Sequence, residues 1–177
     1  EVVKLTGLDR VMVYRFDDDD SGWVFAETKR DGLAPFLDLH YPAMDVPKPA
    51  REIYKKIWLR PLPDALAEPV DLVPLTNPDT GKLLDMTYCF LRGASKMYTD
   101  YLVNMRVRMS LTMAIQRDDR LWGLIACHNY EPKVVPYQVR AACEFLAQVA
   151  SLQIKSAEER EHGAYKDRLE KSYDALL

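Results

Sequence analysis

Proline is concentrated in two stretches of the chain, and this limits where regular secondary structure can form. Residues 31–49 combine proline with glycine and aspartate, and residues 61–81 carry Pro61, Pro63, Pro69, Pro74 and Pro78. Proline lacks a backbone N–H and has a fixed φ, so neither an extended helix nor a central strand can cross such a stretch. The sequence therefore predicts two long loops, and ordered loops of this length usually serve a function.

The segments outside these loops show the periodicities of strands and helices. β-branched and aromatic residues on either side of an Asp-rich turn predict a hairpin, and two nearly continuous apolar runs predict central strands. Apolar residues spaced three and four apart predict helices. In chain order, the predicted elements are strands at 11–16 and 23–27, helices at about 50–57 and 94–105, and strands at 107–116 and 120–128.

The chain beyond Pro136 is predicted to be helical to its end. Its first apolar stripe consists of Val139, Ala142, Leu146, Val149 and Leu152. A polar interval at 155–163 precedes a weaker stripe of Tyr165, Leu169, Tyr173 and Leu176. We expect residues 1–155 to form one domain and residues 156–177 to begin a helical connector that packs on a partner helix. The predicted architecture is α+β, with a central antiparallel sheet flanked by helices and a long C-terminal connecting helix.

Composition and charge exclude several classes of function. The net charge is −3, no basic stripe is present, and no apolar run is long enough to span a membrane. We therefore expect neither nucleic acid nor a membrane as a partner. The chain contains no nucleophile elbow and no phosphate-binding loop, so we expect no enzymatic activity from this segment itself, although the parent protein could be a signalling enzyme.

The cysteines and the first residue bear on where the protein resides. Cys89, Cys127 and Cys143 lie far apart and do not have the spacing of a zinc site, which fits a reducing, cytoplasmic location and predicts no metal centre. The chain begins at Glu1 without a signal or transit segment. We expect it to be part of a longer protein.

Several strings of this sequence resemble the chromophore-binding GAF domains of the phytochrome family, over almost the whole chain. The strings are HYPAMDVP at 40–47, AREIY at 50–54, YLVNM at 101–105 and LWGLIACH at 121–128. Residues 151–154 resemble the start of the helix that joins this domain to the PHY domain that follows it in phytochromes. Long strings in the family's order are far more specific than a single short motif.

The resemblance implies a photosensory domain that binds a linear tetrapyrrole for red and far-red light signalling. Biliverdin is the expected chromophore, and phycocyanobilin is the less favoured one. Residues 1–155 would be the bilin-binding GAF domain, and 156–177 the connector towards a PHY or output region. Further expected partners are PAS and PHY domains of the same chain and a second copy bound through helices as a homodimer.

The resemblance also implies roles for individual polar residues. Arg60 and Arg92 match positions that bind a propionate, and Ser110 and Thr112 match hydroxyls that contact the other propionate. Asp45 matches the aspartate that serves the ring nitrogens and the contact with PHY. Taken alone, these side chains also have ordinary explanations as solvated arginines, tolerated strand hydroxyls and a turn-forming aspartate.

Other residues match the walls of the family's chromophore pocket. His128 corresponds to a histidine that bonds the carbonyl of the D-ring, although a lone strand histidine is more often a satisfied core residue. Aromatic and apolar walls are expected from Tyr14, Tyr54, Tyr101, Tyr41 and Met12. Such aromatics are usually core residues, and in a bilin pocket they would be both.

Two residues depart from the family's pattern. Tyr98 stands where the family has a histidine that holds a water beneath the pyrrole nitrogens, and we count Tyr98 as a rewired chromophore contact. Met97 stands where plant and cyanobacterial members have the cysteine that attaches the chromophore, so no thioether can form there. These departures leave open an alternative: a degenerate GAF domain that binds no bilin and acts as a dimerisation or redox-sensing module, with Cys89 as its reactive thiol.

Overall fold

A computed structural model describes residues 1–90 and 92–174 of the chain. In chain order its elements are α1 (Val2–Thr6), β1 (Arg10–Phe16), β2 (Gly22–Lys29), β3 (His40–Tyr41), α2 (Lys48–Tyr54), β4 (Leu59–Leu62), α3 (Lys96–Asn104), β5 (Met109–Arg117), β6 (Arg120–Asn129) and α4 (Tyr137–Asp174). The predicted hairpin and the predicted pair of apolar strands are both present, with ends shifted by a few residues.

The strands form one six-stranded sheet in the order β3-β2-β1-β6-β5-β4, in which every neighbouring pair is antiparallel. The apolar strands β5 and β6 lie inside the sheet, as their continuous hydrophobic runs predicted. Pro61 lies in β4, which is an edge strand, and an edge tolerates proline because one side needs no backbone donor. The α+β architecture with a long C-terminal helix is confirmed.

The sheet buries side chains on both of its faces. On one face, Leu111, Met113 and Cys127 pack with the helical residues Cys143 and Ala147 in the main hydrophobic core. Because successive strand residues point to opposite faces, Ser110, Thr112 and Ala114 of β5 face the other way, and they are buried as well. That second face, away from α4, forms the floor of the candidate functional site.

The face of α4 that contacts the sheet differs from the predicted stripe. Val139, Cys143, Ala147 and Ser151 point to the sheet, at spacings of four residues. Of the predicted stripe, only Val139 packs against the core, and Leu152 is 69% exposed. The prediction followed the large apolar side chains. The helix instead faces the sheet with small residues, because small side chains let a helix approach a sheet closely.

Four further elements differ from the predictions. Helix α1 was not predicted, and helix α2 covers 48–54 instead of 50–57. The short strands β3 and β4 were not predicted either: β3 lies within the first predicted loop, and β4 ends inside the second. Helix α4 continues without a break through the polar interval at 155–163. In the weaker stripe, Leu176 and the side chains of Leu169 and Tyr173 lie outside the described residues.

No helix among the described residues combines the length and the hydrophobicity that crossing a membrane requires.

Gly123 provides a direct test of how closely β1 and β6 pack. A Cβ atom at this position would lie 2.4 Å from the carbonyl oxygen of Tyr14, which belongs to the backbone and cannot rotate away. We expect Gly123→Ala to lower the free energy of unfolding by about 1–3 kcal/mol, measured by urea denaturation. Gly163→Ala is the matched control, because its Cβ would meet nothing within 4 Å and alanine favours a helix. Equal stability of the Gly123→Ala variant and wild type would contradict this packing.

Candidate functional site

A cavity of about 790 Å³ lies between the second face of the sheet and the loops that cover it. Its floor follows from strand register. Met12 of β1 lies opposite Ala126 of β6, Ala126 lies opposite Thr112 of β5, and Thr112 lies opposite Arg60 of β4. Directly paired residues share a face, so this row crosses the cavity floor. His128 belongs to the next row, two residues further along β6.

The rest of the cavity wall comes from α2, α3 and the loops on either side of them. The structure brings almost all of the predicted site residues to this one cavity. Those that line it are Met12, Tyr14, Tyr41, Asp45, Tyr54, Arg60, Arg92, Tyr98, Tyr101, Thr112 and His128. Ser110 is the exception, since it lies behind the wall and contacts two lining residues, through the hydroxyl groups of Tyr98 and Thr112.

Two arginines form a cationic region of this wall. Burial lowers the pKa of Arg92, and the neighbouring positive charge of Arg60 lowers it further. The Nε atom of Arg92 is buried and has no hydrogen-bond partner. No carboxylate among the described residues forms an ion pair with Arg60 or Arg92. Two neighbouring guanidinium groups in a partly buried site, unpaired with any carboxylate in the described part of the chain, favour an anionic ligand, and a carboxylate matches their planar geometry.

Three hydroxyl groups form an uncharged polar cluster on the same wall. The Tyr98 hydroxyl lies 2.9 Å from Oγ of Ser110, which lies 3.4 Å from Oγ1 of Thr112. The Tyr54 hydroxyl also hydrogen-bonds Thr112. With it, four hydroxyl groups joined by three contacts leave one O–H without an acceptor among them. A ligand carboxylate or carbonyl could accept that hydrogen bond.

Asp45 brings a negative charge to a group of tyrosines at the other side of the cavity. The Tyr101 hydroxyl donates to Oδ2 of Asp45 at 3.4 Å. Burial and then the charge of Asp45 raise the pKa of Tyr101, and the same two causes raise the pKa of Tyr14 to about 12. Tyr41 packs against Tyr14 with 5.9 Å between ring centroids. These phenols therefore remain protonated and act as hydrogen-bond donors.

His128 is a buried residue whose imidazole is incompletely satisfied. Burial lowers its pKa to about 4, and the positive charge of Arg10 on the neighbouring strand adds to the shift. Its Nδ1 atom is buried and has no partner. A neutral imidazole carries one N–H donor and one acceptor nitrogen, so it can serve a ligand carbonyl or a ligand N–H.

The cavity also includes residues that sequence reasoning did not identify as site residues. Phe36 contributes an aromatic wall from the first long loop, and Phe90 contributes one from the segment between β4 and α3. Leu102 and Met105 contribute apolar walls from α3 and its end. An aromatic residue such as Phe36 within a segment rich in Pro, Gly and Asp is the available sequence signal. Met97 also lines the cavity, at a largely exposed position.

Two of the three cysteines are buried, and one is exposed. Cys127 and Cys143 are buried in the main core, and burial raises the pKa of both thiols. Cys89 is exposed, in the segment between β4 and α3. Among the described residues, no group of His, Cys, Asp and Glu side chains could hold a metal ion.

The low pKa of His128 makes the stability of the protein depend on pH. In the unfolded chain this histidine titrates near 6.5, whereas the folded protein resists its protonation until about pH 4. Its contribution to stability is therefore complete above pH 6.5 and falls by up to about 3 kcal/mol as the pH falls to 4. Urea denaturation at several pH values measures this loss. His128→Asn should show a smaller decline over that range, and identical pH profiles for the two proteins would contradict the assignment.

Comparisons with known proteins agree with this fold. The model of the GAF domain family matches residues 1–155. The chain is 44% identical over 177 residues to cyanobacterial phytochrome B of Nostoc sp.. It is 40% identical over 159 residues to a bacteriophytochrome of Pseudomonas aeruginosa. The matches cover 100% and 90% of this chain but only 24% and 22% of those relatives, so the chain spans about a quarter of their length.

Solved structures show the same similarity. The chromophore-binding domain of an unusual bacteriophytochrome from R. palustris aligns with a TM-score of 0.87 and 42% identity, covering 90% of this chain and 53% of that one. A second bacteriophytochrome structure from R. palustris aligns with a TM-score of 0.89 and 40% identity, covering 96% of this chain and 35% of that one. The chain belongs to the GAF domain family, and within it the chain is homologous to the GAF domains of cyanobacterial and bacterial phytochromes.

Proposed function

We propose that this chain is the photosensory domain of a phytochrome-type receptor and binds a linear tetrapyrrole, biliverdin, for red and far-red light signalling. The observation that carries the proposal is the cavity, in which aromatic walls surround two arginines that form no ion pair with any described carboxylate. Its volume of about 790 Å³ is in the range of sites for large organic cofactors. The similarity to phytochromes supports the same ligand class.

The cavity residues fit the chemistry of a bilin. A bilin has a long conjugated apolar body, two propionates and four ring nitrogens. Tyr14, Tyr54 and Tyr101 offer aromatic surface for the body. The arginine pair suits one propionate, and the hydroxyl cluster of Tyr98, Ser110 and Thr112 suits the other. The Asp45 carboxylate can accept hydrogen bonds from ring N–H groups. The neutral imidazole of His128 can accept from an N–H group with one nitrogen or donate to a carbonyl with the other.

When bound, the bilin supplies the light absorption and the double-bond isomerisation, and the protein supplies orientation and electrostatics. Arg60 and Arg92 hold a carboxylate and so fix the position of the ligand in the cavity. Neutral His128 and protonated Tyr101 keep a defined set of donors and acceptors at physiological pH. Tyr101 also links the Asp45 carboxylate to the cavity wall, so a change of hydrogen bonding at the ligand reaches the 42–49 loop.

Biliverdin is the proposed chromophore instead of phycocyanobilin because Met97 provides no thiol in α3. The proposal extends to the longer protein: PAS and PHY domains in the same chain, a homodimer through helices, and a cytoplasmic location without nucleic acid or membrane contacts. No catalytic role is proposed for the domain itself. The second candidate, a bilin-free redox module, rests on the exposed thiol of Cys89.

An equilibrium titration of the purified chain with biliverdin in the dark separates the two candidates. We expect saturable binding of one biliverdin per chain, followed by absorbance, and no bilin on the chain after denaturing electrophoresis with zinc staining. The Cys89→Ser variant should bind equally well. Absence of saturable binding would contradict the proposed function, whereas a zinc-fluorescent band would contradict only non-covalent binding.

Replacing Arg92 with alanine removes one of the two cations that would face a propionate. The loss of a charge-assisted hydrogen bond should weaken biliverdin binding by about 1.5–3 kcal/mol in the same titration. Arg120→Ala is the matched control because Arg120 is an exposed arginine on β6 outside the cavity. Equal affinity of the Arg92→Ala variant and wild type would exclude Arg92 as a carboxylate ligand.

Replacing Tyr98 with histidine tests the residue that departs from the family's pattern. The phenol of Tyr98 has one polar atom, which here contacts Ser110, whereas an imidazole has two ring nitrogens with which to anchor a water at the pyrrole nitrogens. We expect Tyr98→His to raise the pKa of the bound bilin, to sharpen its long-wavelength band and to increase photoconversion. The measurement is a pH titration of absorbance on both proteins. Coinciding curves with equal photoconversion would show that Tyr98 is a neutral replacement.

A further inference from the structure

A buried ion pair lies directly behind the cavity wall. The Arg10 guanidinium pairs with the Glu27 carboxylate, and the side chains are only 1% and 4% exposed. Arg10 is on β1 and Glu27 is on β2, and neither residue lines the cavity. The role of the pair in the site would therefore be indirect.

Both members of the pair hold the same short segment of the first long loop. The Glu27 carboxylate accepts hydrogen bonds from the backbone N–H of Phe36, at 3.0 Å, and of Leu37, at 3.3 Å. Arg10 donates to the carbonyl oxygen of Ala34 at 2.7 Å, and its guanidinium lies 3.8 Å from the centroid of the Phe36 ring. Hydrogen bonds with Arg10 and Glu27 thus fix the backbone of residues 34–37 at both ends, and the Arg10 guanidinium also packs on the ring of Phe36.

Burial of an ion pair is a weak source of stability, because desolvation offsets most of the attraction. The directed hydrogen bonds of this pair instead specify one position for the segment. Phe36 lines the cavity, and His128, another cavity residue, lies opposite Arg10 on the neighbouring strand β6. One buried pair therefore contacts the loop wall and adjoins the cavity floor.

We propose that Arg10 and Glu27 are positioning residues of the ligand site: their ion pair holds the segment 34–37 so that Phe36 forms a fixed wall against the bound bilin. The part that concerns the bilin rests on the proposed function. The part that concerns the loop is independent of any ligand. The two parts can therefore be tested separately.

The loop is tested in the ligand-free protein by amide hydrogen exchange. Glu27→Gln removes the negative charge and replaces one carboxylate oxygen with an NH₂ group, which can accept neither from Arg10 nor from a backbone N–H. We expect the amides of Phe36 and Leu37 to exchange at least about 10-fold faster, because charge-assisted hydrogen bonds are lost. Asp64→Asn breaks the Arg108–Asp64 pair outside the cavity and should leave both amides unchanged. Unchanged exchange in the Glu27→Gln variant would overturn the proposal.

The effect on the ligand is tested by a double-mutant cycle with biliverdin affinity as the readout. Arg10→Gln and Phe36→Leu should each weaken binding by about 10-fold, and the double variant should be little weaker than either alone. Independent, fully multiplying effects would show that Arg10 does not act through Phe36 and would overturn the proposal. If Arg10→Gln does not fold, Glu27→Gln replaces it in the cycle.

These outcomes separate the proposal from the proposed function. Wild-type protein without saturable biliverdin binding would contradict the function, while the exchange of the Phe36 and Leu37 amides would still decide whether the ion pair holds the loop. Wild-type binding with unchanged amide exchange in Glu27→Gln would contradict the positioning role and leave the function intact.

Discussion

The burial of strands β5 and β6 on both faces is the constraint on which the rest of the structure depends. One face packs against α4, where the small side chains of Cys143 and Ala147 allow close approach. The other face can therefore line a cavity while the main hydrophobic core stays shielded from water between the sheet and α4. Strand register places Arg60 and Thr112 in one row and His128 in the next, so positions in the sheet fix positions in the site.

The distribution of charge within the cavity gives the site its chemical character. Arg60 and Arg92 form no ion pair with a carboxylate among the described residues, whereas the more deeply buried Arg10 is paired with Glu27. An internal partner neutralises Arg10, and an external anion would neutralise the arginine pair. Asp45 lies with the tyrosines and not with these arginines. The cavity therefore has distinct places for a carboxylate and for hydrogen-bond donors.

Much of the fold and of the site could be predicted from sequence because the relevant signals are local. Alternation and apolar runs predicted four of the six strands, proline density predicted the loops, and family strings around Asp45 and His128 predicted most of the lining residues. The prediction of which side of α4 faces the sheet was wrong, because side-chain size as well as hydrophobicity decides which side of a helix packs against a sheet. Phe36 and the Arg10–Glu27 pair were missed because their contacts join residues far apart in the chain, and no local pattern encodes such contacts.

The central claim is that the cavity holds a bilin that responds to light. The most direct measurement is the absorption spectrum of the biliverdin-saturated chain before and after irradiation with red light, compared with free biliverdin in the same buffer. The account predicts a long-wavelength band that free biliverdin lacks and that red light partly and reversibly removes. A spectrum identical to that of free biliverdin, unchanged by irradiation, would contradict it.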